Sequence, residues 1–179
     1  GAHLHALANG RDPRRVATRP RRRSIGSQHA RGRARASPEE IDADLVAIVE
    51  RVMRRVRAAH RVGRTVVLRL RFGDFTRATR SLTLAHPTAG TAIVLEAART
   101  LYAAAGPLVD QRGLTLIGLS VAGLTDDLPL QLQLPFEHAD RLLLDGALDE
   151  IHDRYGTTAI TRAVLLGRTG DLTMPLLPD

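Results

Sequence analysis

The feature that most constrains this chain is a change of hydrophobic period between residues 41 and 72. Ile41, Leu45, Ile48, Val49, Val52 and Val56 recur at three- and four-residue steps, which puts them on one stripe of a helix running to about Ala59. From Arg64 the step falls to two, with Val66, Leu68, Leu70 and Phe72 alternating with Val67, Arg69 and Arg71. That is the pattern of a strand with one buried face. An amphipathic helix followed directly by a half-buried strand must cover both apolar stripes, so a layered α+β domain is expected.

The neighbouring segments extend this pattern. Ser37-Pro38-Glu39-Glu40 starts the helix, with Ser as N-cap, Pro at the first position and Glu at the third. After Phe72, Gly73-Asp74 suits a hairpin or bulge. Thr76 to Leu84 then returns with Leu82 and Leu84 inward and Arg77, Thr79, Ser81 and Thr83 outward. Strict alternation sends Arg80 inward beside Leu82, a conflict that a bulge or a place at the sheet margin relieves. A second helix, Thr91 to Ala104, presents Ile93, Ala97, Leu101 and Ala104 and is expected to stop at Gly106-Pro107. Leu114 to Leu124 reads as a central strand and the charged Arg21 to Gln28 stretch as an edge strand. The order is βαββαβ, a four-stranded sheet with two helices on one face.

At 179 residues the chain holds one domain with appendages. Residues 1–10 read as the end of a helix closed by Asn9-Gly10, and 11–20 as a linker with Pro13 and Pro20. Residues 21–125 are the domain and 126–138 a separate extended segment. A C-terminal helix-strand extension over 139–179 follows. Its helix, Asp140 to Arg154, is expected to turn Leu143, Leu144, Ala147, Leu148 and Ile151 inward, with a strand over Ala159 to Leu166. The chain opens on Gly1-Ala2-His3 rather than Met, which reads as a piece of a longer protein.

Charge gives the first functional hint. Residues 1–80 hold 20 Arg against 7 Asp plus Glu, whereas residues 81–179 hold 6 against 12. No Lys occurs. The Arg fork matches phosphate oxygens two at a time, so the basic half reads as a polyanion-binding surface. Arg69, Arg71, Arg77, Thr79, Ser81 and Thr83 gather on the sheet face that the helices leave open.

Other chemistries find little support. There is no cysteine, and aromatic residues are 3%, too few for base-stacking platforms. The histidines at 3, 5, 29, 60, 86, 138 and 152 are scattered, and Asp126-Asp127 reads as a strand end. No phosphate loop, dinucleotide fingerprint or Ser-His-Asp order is present. No catalytic or metal-binding residue is therefore expected. The longest apolar run, Leu114 to Leu124, is far short of a membrane span, and no membrane partner is expected.

Several runs resemble a known family. Arg22-Arg23-Ser24-Ile25-Gly26-Ser27-Gln28, then Thr65 to Phe72 with Asp74-Phe75, then Thr79-Arg80-Ser81-Leu82-Thr83-Leu84, and finally Leu116-Ile117-Gly118-Leu119-Ser120-Val121 closely resemble the little finger of bacterial Y-family translesion DNA polymerases, DNA polymerase IV branch. The resemblance runs in order over about residues 1–136. It implies that 1–10 end the thumb, that 11–20 tether it, and that the sheet grips primer-template DNA. Arg22, Arg23, Ser24, Gly26, Ser27, Arg69, Arg71, Thr79 and Arg80 would meet phosphates. Gln28 stands where the family usually carries an acidic residue.

The segment Gln131-Leu132-Gln133-Leu134-Pro135-Phe136 looks like the peptide by which bacterial replication proteins dock on the sliding clamp. By that resemblance Gln131, Leu132, Leu134, Pro135 and Phe136 would bind the clamp. An ordinary edge strand with alternating Leu128, Leu130, Leu132 and Leu134 is the other reading. The resemblance assigns the catalytic carboxylates and their Mg2+ to a palm outside these residues. This piece alone is therefore expected to be inactive as a nucleotidyltransferase and to need no cofactor. A monomer in the cytoplasm, associated with the nucleoid and serving DNA repair, is implied. Two other classes stay open: a free-standing RNA-binding split βαβ module, and a protein-interaction adaptor.

Overall fold

The computed structural model describes residues 1–12, 14, 22–32, 36–126 and 139–168. After a short helix α1 (Ala2–Ala8), which buries nothing, the strands β1 (Ser24–Ala30), β2 (Arg61–Phe72), β3 (Arg77–Thr88) and β4 (Leu114–Ala122) form one antiparallel sheet in the order β1-β4-β2-β3. Helices α2 (Pro38–Ala58) and α3 (Thr91–Ala103) cover one face. This is the expected α+β arrangement, with β1 and β3 at the edges.

Local chemistry accounts for the elements. The Ser37 hydroxyl accepts from the Glu40 N–H at 3.2 Å while the Glu40 carboxylate accepts from the Ser37 N–H at 3.0 Å, a closed capping box that begins α2. The α2 stripe Leu45, Ile48, Val49, Val52 and Val56 packs on Val66, Leu68, Leu70, Ile117, Leu119 and Val121 of the sheet and on Val94 and Ala98 of α3. Each fully buried aliphatic contributes about 1.5–3 kcal/mol by leaving water, so this seam sets the layering. Among the described residues no single helix is long and apolar enough to cross a membrane.

Several details differ from the sequence reading, and Ala104 and Ala147, expected inward, are exposed. Gly106-Pro107 does not end the helical region: after a break the chain resumes as α4 (Gly106–Arg112), with Pro107 in the first turn, where its missing N–H is not needed. Strand β2 begins earlier than expected, at Arg61, and pairs there with a two-residue strand β5 (Thr125–Asp126). Between Gly63 and Thr65 the β2–β3 register slips, and this irregular end of an edge strand accommodates Pro87.

Two further corrections lie in the C-terminal extension. In helix α5 (Ala139–Tyr155), Leu143 and Leu144 point outward, 71% and 58% exposed, and Asp145 is the buried residue of that turn. The strand expected over 159–166 is absent. A single 3-10 turn at Ala163–Leu165 stands in its place. The segment packs beside α2, through the Arg162–Glu50 pair, and pairs with no strand among the described residues.

Candidate nucleic-acid interface

Four cross-strand rows make up the sheet face turned away from the helices. Read from β1 to β3 they are Ser24–Ala122–Thr65–Thr83, Gly26–Ser120–Val67–Ser81, Gln28–Gly118–Arg69–Thr79 and Ala30–Leu116–Arg71–Arg77. Their chain neighbours Ile25, Val66, Leu68, Leu70, Ile117, Leu119 and Val121 are buried on the helix side, so alternation turns the rows outward. None of the row positions is acidic.

The middle of this face is shallow because its residues are small. A methyl on Gly26 would lie 2.7 Å from the Ser120 Cβ and 2.9 Å from the Leu119 carbonyl oxygen, and one on Gly118 would lie 3.0 Å from the Gln28 Cβ. Cations stand toward one end. Among the described residues the Arg69 and Arg77 side chains have no ion pair or hydrogen bond. Arg71 donates from Nε to the Thr115 hydroxyl at 3.3 Å, and Thr115 in turn donates to the Arg71 carbonyl at 3.1 Å. Arg71 and Arg77 sit directly opposite one another, a like-charge pairing that weakens a sheet unless an anion lies between.

The β2–β3 turn closes this end. Asp74 accepts from the Thr76 hydroxyl at 2.6 Å and from its N–H at 3.0 Å, and these bonds hold its carboxyl below the usual range. Phe75 takes a left-handed backbone, φ 65°, and is 64% exposed.

The helix side carries acids that hold several of the arginines there. Arg57 makes a two-pronged pair with Asp149 at 2.6 and 2.9 Å, and Arg54 meets Asp153 at 2.6 Å. Arg99 grips Asp42 at 2.7 and 2.8 Å, bonds that raise the basicity of its guanidinium. Arg31 pairs with Asp44 and Glu40, and Arg162 with Glu50. Acids of α2 and α5 thus answer several of the arginines on this side. The open face keeps its charge.

The candidate residues do not all gather on that face. Ser24, Gly26, Arg69, Arg71 and Thr79 do, and Arg22 and Arg23 are exposed at the mouth of β1. Ser27 lies on the other side: it is 7% exposed and its hydroxyl takes a hydrogen bond from Arg51 Nη1 at 3.3 Å. Arg80 also faces the helix side, opposite Leu68, and reaches solvent only because β3 is an edge. Both follow from the period of two, which sends alternate residues of one motif to opposite faces. Arg77, with Gly118 and Ser120 as the floor, joins the face instead; the same alternation marks them in the sequence.

The candidate clamp-binding residues Gln131, Leu132, Leu134, Pro135 and Phe136 lie outside the described residues. Among the described residues no cluster of three or more His, Asp or Glu could hold a metal ion.

Comparison with known proteins bears on this site. The model of the impB/mucB/samB family C-terminal domain matches residues 22–134. DNA polymerase IV 2 of Mesorhizobium japonicum is 38% identical over 175 residues, covering 89% of this chain and 42% of that protein. DNA polymerase IV of Moorella thermoacetica is 37% identical over 150 residues, 84% of this chain and 37% of that protein. The chain thus spans about two-fifths of the length of these relatives. Among solved structures, a complex of a β-clamp processivity factor and the little finger domain of DNA polymerase IV is similar with a TM-score of 0.45 and 22% identity, over 62% of this chain and 97% of that one.

Proposed function

The chain belongs to the impB/mucB/samB family through its C-terminal domain, and from that membership we propose that it holds primer-template DNA by its backbone and docks a bacterial Y-family polymerase on the sliding clamp. The observation that carries the DNA reading is the open sheet face, with arginines and hydroxyls in register, small residues between them and no acid.

Such a face neutralises phosphates without reading bases. Arg69, Arg71 and Arg77 supply charge, Thr79, Ser81 and Ser24 supply hydroxyl donors, and the low floor at Gly26 and Gly118 lets a sugar-phosphate chain approach the backbone. Binding releases counterions, so affinity falls steeply with salt and permits sliding. A single-stranded RNA reader would want aromatic platforms on the central strands, where this sheet has Val67, Arg69, Gly118 and Ser120.

Clamp docking rests on Gln131, Leu132, Leu134, Pro135 and Phe136, which follow the last strands directly. In the parent enzyme the nucleotidyl transfer belongs to a palm with its own carboxylates and Mg2+. The role here is to keep the template in place through translesion synthesis in the cytoplasm, at the nucleoid.

Fluorescence anisotropy with primer-template duplex at about 50 and 200 mM salt tests the first part. The expected result is sequence-independent binding that weakens at least tenfold between them. Binding that ignores salt overturns the reading. Replacing Gln131, Leu134 and Phe136 together by Ala is expected to abolish pull-down by the sliding clamp while duplex affinity stays unchanged. Retained clamp capture sinks the second part.

A further inference from the structure

Arg51 and Arg55 stand one turn apart on α2 and lean together onto the free edge of β1. Arg51 Nη1 donates to the Ser27 hydroxyl at 3.3 Å, and Arg55 Nη1 donates to the Gly26 carbonyl at 3.1 Å. The partly buried arginines Arg31, Arg54, Arg57 and Arg61 each meet a carboxylate. Arg51 and Arg55 meet none among the described residues, and burial together with the Arg55 charge lowers the basicity of Arg51. Two unbalanced cations held side by side in partial burial are costly without an anion.

The strand edge supplies a third donor. The Arg31 N–H reaches the Thr115 carbonyl at 2.8 Å, so odd-numbered residues of β1 turn their backbone groups toward β4. Ser24, Gly26 and Gln28 turn theirs outward, consistent with the Gly26 carbonyl meeting Arg55. The Gly26 N–H therefore looks out from that free edge beside the carbonyl that Arg55 holds, with no side chain of its own to shield it. Two forked cations and a backbone N–H suit a phosphate oxyanion.

We propose that Arg51, Arg55 and the Gly26 N–H form an anion site at the free edge of β1 that takes a phosphate of the DNA lying along the open face. The inference rests on the open-face reading and extends it round the strand edge. Gly26 belongs to both, since its Cα is in a row of the open face and its carbonyl at the free edge accepts from Arg55 of α2. DNA fits better than an acidic protein surface because the edge continues directly into that phosphate-suited face.

The test compares the chain with an R51Q/R55Q variant, which keeps donors to Ser27 and Gly26 but removes both charges, and with R51K/R55K. Duplex affinity is expected to fall about tenfold in the Gln variant, with the salt slope reduced by about 0.9 for each phosphate no longer neutralised. Lys is expected to restore much of the slope. A titration with inorganic phosphate at constant ionic strength, followed at the Gly26 amide by 1H–15N NMR, is expected to saturate in the parent chain and not in R51Q/R55Q. Unchanged duplex affinity and slope in R51Q/R55Q overturn the proposal, as does a Gly26 amide that does not respond. If the parent chain fails to bind duplex while Gly26 still responds to phosphate, the open-face reading falls, and the assignment to DNA falls in favour of an acidic protein partner.

Discussion

At the scale of single residues, the open face trades stability for charge and closeness. Gly26 is required by space: a methyl there meets Ser120 and the Leu119 carbonyl well inside contact distance. Gly26→Ala is expected to cost about 1–3 kcal/mol as the β1–β4 pair is forced apart, read as a lower urea midpoint. Arg77 carries the opposite trade, because it faces Arg71 across the β2–β3 ladder. Arg77→Thr is expected to stabilise the fold by about 0.2–1 kcal/mol while weakening duplex binding, which thermal melts and anisotropy together resolve. A variant that loses stability as well would mean that Arg77 serves the fold. Arg69, Arg71 and Thr79 were legible from alternation alone. The sides taken by Ser27 and Arg80 follow from the same rule, yet the exposure of Arg80 depends on its strand being an edge, which one strand's own sequence does not state.

At the scale of elements, the attachment of α5 is the least local feature of the fold. Asp145, 6% exposed, accepts from the Thr91 N–H at 2.8 Å and so caps α3, whose own N-cap is Gly90 without a side chain. Arg57 lies 3.5 Å from Asp145 and also donates to the Ala89 carbonyl at 3.1 Å, the Thr91 hydroxyl at 2.9 Å and Asp149. Three elements thus meet at one guanidinium. Asp145→Ala leaves the buried Thr91 N–H without its acceptor and takes away one of the two carboxylates beside Arg57, and about 1–3 kcal/mol of destabilisation is expected. Hydrogen exchange should rise across α5 and the start of α3. Asp153→Asn, which breaks only an exposed pair with Arg54, is expected to cost under about 1 kcal/mol. Equal effects would mean that α5 is held by something other than the Arg57 junction. The run Leu142-Leu143-Leu144 suggests an inward apolar stripe, but hydrogen bonding at Asp145 and Asp149 sets the helix rotation and leaves these leucines outward. Apolar content alone carries no information about that anchor.

At the scale of the whole molecule, charge is sorted by face. Acids on α2 and α5 neutralise Arg31, Arg54, Arg57, Arg99 and Arg162 on the helix side, while the sheet face keeps Arg69 and Arg77 without a carboxylate among the described residues. Binding at the open face and folding therefore depend on different arginines. An R69Q/R77Q variant is expected to lose duplex affinity about tenfold or more with its urea midpoint held or raised. D149N/D153N is expected to lower the midpoint and leave duplex affinity within about twofold. Measuring both quantities on both variants checks the separation, and a D149N/D153N protein with strongly altered affinity would refute it. The sequence by itself determined the layered α+β class, the edge and central strands and the identity of most face residues, because hydrophobic period and cap chemistry act over a few residues and are written in consecutive positions. Only the tertiary structure decided which arginines are cancelled and which are left to bind. Arg57 and Asp149, or Arg54 and Asp153, lie more than ninety positions apart, and nothing in local pattern tells a paired guanidinium from one left facing water.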